Sequence, residues 1–157
     1  MAASKQYVQL SILDRLIGLA DSDVAAGQGE DIEFVRGAVL RDLENLLNAR
    51  RNIVTLAHGF RQLRNSLLVY GLEDYVSKNP KSRDIRYALK NGIEETIAKF
   101  EPRLADAGVT FNSREGSDHH LCFAVKATLY ADPVREPICF DTWFSVDRGE
   151  YRINNIK

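Results

Sequence analysis

The chain has 157 residues, of which 45% are hydrophobic and 27% charged, and its formal net charge is −1. That length suits one domain, and that composition excludes a disordered or low-complexity chain. The near-zero charge gives no global pull towards nucleic acid or a membrane surface, and no stretch approaches the roughly 20 apolar residues of a spanning helix.

The N-terminal residues lack a continuous apolar run and become charged at Asp14 and Arg15, unlike a secretory leader. The reading is one domain over residues 1–157, with a core from about 11 to 150 and a flexible N-terminus. "SILDRLI" opens on a capping pattern, Ser11 with Asp14, and predicts a short helix from its stripe of Leu10, Leu13, Leu16 and Ile17. The Gly- and Asp-rich residues 18–31 predict a loop.

"DIEFVRGAVLRDLENLLNARR" carries the strongest helical period. Ile32, Val35, Val39, Leu43 and Leu46 form its stripe, widened by Leu40 and Leu47, with Asp31 as N-cap and Arg50 and Arg51 at the C-terminal end. The stretch from Asn52 to Tyr75 is broken at Gly59 and Gly71 and predicts turns with one short helix. A third helix follows in "SRDIRYALKNGIEETIAKF", with Ser82 or Asp84 as cap and Ile85, Leu89, Ile93, Ile97 and Phe100 on its buried face. Gly92 inside it costs on the order of 1 kcal/mol relative to alanine, so close packing is expected there.

After Pro102 the period changes to two. Strands are predicted at 108–111, at "LCFAVKATLY" with Leu121, Phe123, Val125, Ala127 and Leu129 on one face, and at "ICFDTWFSV" with Ile138, Phe140, Thr142, Phe144 and Val146 on one face. "ADPVREP" joins the last two as a hairpin with Pro137 at a strand start, and "YRINNI" adds an edge strand. About three main helices followed by three to four antiparallel strands define an α+β fold.

The residues that could carry chemistry are few. In "KFEPRL", Pro102 drives Glu101 out of the helical region and ends the helix. Continued as an extended chain, it would put Glu101 and Arg103 on one side, with Pro102 and Leu104 on the other. Such a pair serves as an internal clasp or as a docking surface. A glycosidase would need two carboxylates, one holding a proton. Glu94 and Glu101 lie about 10.5 Å apart along a helix axis, and a guanidinium beside Glu101 favours the charged form, the reverse of what a general acid requires.

His119 and His120 are adjacent and diverge on an extended backbone. With Asp118 and His58 they make a poor metal set, and a solvated loop is the plainer reading. Cys122 and Cys139 lack metal or redox spacing and read as small buried thiols of a reducing compartment. Between Glu44 and Glu73 there is no acid, while Arg50, Arg51, Arg61 and Arg64 are all basic, with only Phe60 and Tyr70 as aromatics. That run fits a solvated face or a contact with an acidic protein better than nucleic acid. No phosphate-binding glycine loop, nucleophile elbow or zinc-protease motif is present.

Taken in order, "SILDRL", "VLRDLENLLNARR", "LLVYGLEDY" and "IRYALKNGIEETIAKFEPRL", followed by short strands, resemble the GPW-type phage baseplate wedge proteins. They resemble more closely the TssE-like subunit of type VI secretion systems. The resemblance implies a non-enzymatic, cofactor-free building block of a contractile injection machine. Its implied partners are wedge subunits of the TssF, TssG and TssK type, the contractile sheath and the spike hub. Its implied place is the cytoplasmic face of the inner membrane, without insertion. It also implies that Glu101, Pro102 and Arg103 contact the helical core bundle of the larger wedge proteins. The edge candidate "YRINNI" offers backbone groups that a sheath strand could join. A phage-tail wedge protein is the first alternative and a muralytic glycosidase the second.

Overall fold

The computed structural model describes residues 30–53, 62–75, 78, 82–111, 120–131 and 134–156. Within them run α1 (Glu30–Asn48), two single 3₁₀ turns (Leu63–Asn65 and Leu67–Val69), α2 (Arg83–Phe100), and strands β1 (Leu104–Phe111), β2 (His120–Ala131), β3 (Val134–Ser145) and β4 (Glu150–Ile156). The described residues thus hold two α-helices rather than three; the helix expected at 11–17 lies outside them, as does the loop expected at 18–31 apart from Glu30 and Asp31, which are helical. The strands form one antiparallel meander in the order β1-β2-β3-β4.

Two layers result because each element has one apolar face. Leu121, Phe123, Val125, Ala127 and Leu129 of β2 and Ile138, Phe140, Thr142 and Phe144 of β3 are all buried, as the period-two pattern predicts. Against this face lie Val35, Val39, Leu43 and Leu47 of α1 and Leu89, Ile93 and Ile97 of α2. α2 packs along β1, and α1 packs along β4. Phe144 stacks on Tyr151 with centroids 4.5 Å apart, and Phe123 meets Phe111 edge-on at 5.8 Å. Thr142 is fully buried, and among the described residues its hydroxyl has no hydrogen-bond partner.

Several local expectations are corrected. α1 begins at Glu30, so Asp31 lies in the first turn and is not its cap. α1 ends at Asn48 with no basic residue in its last turn, because the chain then leaves the helix to bridge Leu72: Arg51 N–H donates to Leu72 O at 2.7 Å, and Leu72 N–H to Ala49 O at 2.9 Å. Gly71 makes this approach possible. Its φ is +94°, and a Cβ there would collide with the Ala49 carbonyl.

Ser82 is the N-cap of α2 by backbone position, but its side chain makes no capping bond. The close packing expected at Gly92 is present, since a Cβ there would sit 3.2 Å from the Tyr75 hydroxyl. β1 starts at Leu104, four residues before the expected 108. The stretch "ADAG" hides a bulge between Ala105 and Gly108, with Asp106 at φ +54°. Pro137 lies inside β3 opposite Thr128, not at the strand start. It is tolerated because β4 pairs with β3 only from Phe140 to Ser145, so β3 is one-sided at Pro137.

Cys122 and Cys139 remain thiols on the face away from the helices, opposite Trp143 and Lys126 respectively. Four residues of ladder separate their rungs, about 14 Å at 3.4 Å per residue, which is beyond the reach of a disulfide.

Candidate functional site: the clasp at the end of the second helix

α2 stops where the sequence says it must. Glu101 N–H still donates to Ile97 O at 2.9 Å, but Glu101 itself has φ −121° and ψ 79°, outside the helical region, because Pro102 follows. The chain does not then run extended, as expected. Leu104 N–H donates back to Glu101 O at 3.0 Å and closes a four-residue turn with Pro102 at its second position, where the fixed ring φ favours it. Glu101 and Arg103 meet across this turn, while Pro102 is exposed and Leu104 enters the core.

The pair is a two-point fork. Arg103 Nε donates to Glu101 Oε1 at 2.6 Å and Arg103 Nη2 to Glu101 Oε2 at 2.6 Å. Nη2 also donates to Asp42 Oδ2 at 2.7 Å, which ties the turn to α1. The Glu101 side chain is 5% exposed, against 29% for Arg103 and 26% for Asp42. Its bonds to Glu101, opposed by desolvation and aided by Asp42, raise the Arg103 pKa well above its ordinary value, so the guanidinium stays charged at any working pH. Nη1 takes part in none of these bonds. Asp42 is the member the sequence did not disclose. It lies 61 residues from Arg103 on another helix, and no local pattern marks it.

Beside the clasp, Tyr70 meets Phe100 edge-on with centroids 5.1 Å apart. Burial, and then the Asp42 and Glu101 carboxylates, raise the Tyr70 pKa. The 3₁₀ turns leading to Tyr70 leave Leu63, Leu67 and Leu68 exposed, Leu67 at 80%.

The other sequence candidates separate. Glu94 Oε1 accepts from Val109 N–H at 2.7 Å and lies 3.7 Å from Lys90 Nζ, so Glu94 and Glu101 are each engaged in holding β1 and the turn to the helices. The basic run is partly internal: Arg50 pairs with Asp74 at 3.2 Å, and Arg51 donates to Gly71 O and to the buried Thr96 hydroxyl. Arg64 is exposed, and Arg61 and Phe60 lie outside the described residues. His120 is exposed at the start of β2, while His58, Asp118 and His119 lie outside the described residues. Among the described residues no three metal-binding side chains converge, and no helix is long and apolar enough to cross a membrane.

These features define a two-layer α+β protein whose helix ends are stitched to a four-stranded meander by charged and amide side chains. The chain belongs to the family of the baseplate wedge protein gp25, whose family model matches residues 35–134. It is also similar to the anti-adapter protein IraD of Escherichia coli O157:H7 and of Shigella flexneri. Each is 27% identical over 125 residues, which cover 79% of this chain and 83% of the relative.

Proposed function

We propose that this protein is a non-enzymatic structural subunit of a contractile injection machine of the type VI secretion kind. It would join a TssE-like position in the baseplate wedge beside TssF-, TssG- and TssK-type subunits and the spike hub, and help to start the contractile sheath at the cytoplasmic face of the inner membrane. The observation that carries this reading is the wedge-family match over residues 35–134, which includes α2, the clasp and the first hairpin.

The geometry adds support of its own. Glu101 is engaged internally, so contact with a wedge partner falls to the exposed Pro102, the partly exposed Arg103 and the exposed leucines at 63, 67 and 68. Exposed leucines together with a guanidinium held by two carboxylates are a chemistry suited to a protein surface. The edge of β4 offers backbone groups that a sheath strand could join.

Co-purification with wedge proteins expressed from the same gene cluster tests this reading. Capture is expected, and it is expected to weaken at least tenfold in Leu67→Asp, a change at an 80% exposed position that leaves the core intact. Failure of the intact protein to capture any wedge subunit would overturn the proposal. Capture of phage-tail wedge proteins instead would assign it to a tail.

A second reading, favoured by the similarity to IraD across four-fifths of the chain, is an anti-adapter that binds an adapter protein through the same surfaces. Capture of an adapter and not of wedge subunits would select it. Turnover of peptidoglycan abolished by Glu101→Gln would replace both with the glycosidase.

A further inference from the structure

The sheet has two edges, and the chain closes them unequally. On β1, Tyr130 N–H donates to Arg103 O at 2.8 Å, which sets the phase of the ladder and turns the backbone groups of Leu104 away from β2. Leu104 N–H is taken by Glu101 O at 3.0 Å. Beyond the bulge, Val109 N–H also points outward and is taken by Glu94 Oε1 at 2.7 Å. The bulge itself interrupts the edge.

On β4 a bulge at Asn154 also breaks the edge, and the rung at Tyr151 is closed by one side chain. Asn48 Nδ2 donates to Tyr151 O at 2.9 Å, and Asn48 Oδ1 accepts from Tyr151 N–H at 2.8 Å. One carboxamide thus makes both bonds that a neighbouring strand would make at that rung. Its second N–H goes to Glu44 O at 2.9 Å, one turn back in α1, which holds the amide in place. Since Tyr151 turns its backbone outward opposite Phe144, the antiparallel alternation turns Ile153 outward opposite Thr142. No described residue bonds the outward N–H and C=O of Ile153.

We propose that Asn48 is a register stop: it closes the rung at Tyr151, so that one extended segment of another protein pairs with β4 at Ile153, on the near side of the bulge, and not at Tyr151. The choice of a partner protein as occupant rests on the wedge reading, because a wedge subunit is built into an assembly of different chains. A backbone segment is the required chemistry, since the groups that no described residue bonds are one amide N–H and one carbonyl two residues from a closed rung. Without the stop, an incoming strand could slide by two residues along β4 and still keep its faces. With it, the rung at Tyr151 is no longer offered.

Residue-resolved amide exchange in the full-length protein tests this. In the free protein the Tyr151 amide is expected to exchange at least tenfold more slowly than that of Ile153. Asn48→Ala, at an exposed side chain, should accelerate Tyr151 about tenfold while leaving the amides of β2 unchanged. Asn48→Asp, which keeps the acceptor for Tyr151 N–H, should retain most of the protection. In the complex with wedge and sheath proteins from the same cluster, Ile153 should gain at least tenfold protection with no change at Tyr151.

Equal protection of Ile153 and Tyr151 in the free protein would overturn the proposal. So would an Asn48→Ala variant with an unchanged Tyr151 rate, or a formed complex in which Ile153 exchanges as before. Protection of Ile153 that grows with protein concentration alone, together with a sedimenting dimer, would make the occupant a second copy and overturn the partner assignment. If the intact protein captures no wedge or sheath protein, the wedge reading fails, and the partner assignment falls with it. The free-protein rates then decide the role of Asn48 by themselves.

Discussion

Replacing Arg103 by alanine is the sharpest perturbation of the clasp. The substitution removes both arms of the fork and leaves the Glu101 carboxylate, 5% exposed, without its countercharge. Removing one member of a fully buried ion pair costs about 3–5 kcal/mol, chiefly because the remaining charge is stranded away from water. Arg103 is itself 29% exposed, so water can partly replace it, and the expected loss falls to about 2–4 kcal/mol. At about 2–4 °C per kcal/mol for a chain of this size, the melting temperature should drop on the order of 10 °C.

Two companion variants separate the contributions. Asp42→Asn should cost less, about 1 kcal/mol, because Asp42 is 26% exposed and receives one arm only. Arg103→Lys keeps the charge but cannot span both Glu101 oxygens, and should fall between the wild type and Arg103→Ala. The assay is thermal and urea unfolding of the purified variants at pH 7. A melting temperature for Arg103→Ala within 2–3 °C of the wild type would refute the reasoning, and would mean that the fork is not held together in solution.

Two further outcomes follow from the core. Thr142→Val should stabilise the protein by about 1 kcal/mol, because it replaces a buried hydroxyl that has no partner among the described residues with a methyl group of similar shape; an unfolding midpoint at or below that of the wild type would contradict this. Burial raises the Tyr151 pKa well above its ordinary value, with the nearby Tyr75 and Asp74 adding to it. The unfolded chain therefore loses this proton first as pH rises. Stability is complete below about pH 10 and declines above it by up to about 1.4 kcal/mol per pH unit. Tyr151→Phe should remove that share of the slope and leave the shares of Tyr70 and Tyr75, whose pKa values are also raised mainly by burial. Melting curves between pH 9 and 11 check the difference.

Periodicity made much of the architecture legible. The stripe from Val35 to Leu47, the stripe from Leu89 to Ile97, and the alternation at 121–129 and 138–144 each place side chains on one face of a local element, and those faces are the core. Pro102 ends α2 because its ring excludes the preceding residue from the helical region, a purely local steric effect. The family too was legible, from the order of "RDLENLLNARR" and "FEPRL" ahead of short strands, and the match over residues 35–134 bears it out.

Other features follow from partners far apart in the chain. Whether Glu101 is turned inward or outward depends on a turn closed by Leu104 and on Asp42, 61 residues away. The start of β1 was hidden because a bulge breaks the two-residue period at Asp106. Arg51 looked like a surface cation, and the tertiary fold gives it Gly71 and Thr96 as acceptors. Asn48 and Glu94 carry no sequence signal for the tasks they perform, since a polar residue at a helix end or on a helix flank is ordinary. They acquire their tasks only when α1 and α2 are laid beside strands whose outward N–H groups need acceptors. Local sterics and the apolar period thus determine which elements form and which faces they bury. Which polar side chain meets which backbone group is decided by packing across the sheet, because an unpaired buried donor or charge has to find its partner wherever the fold brings one.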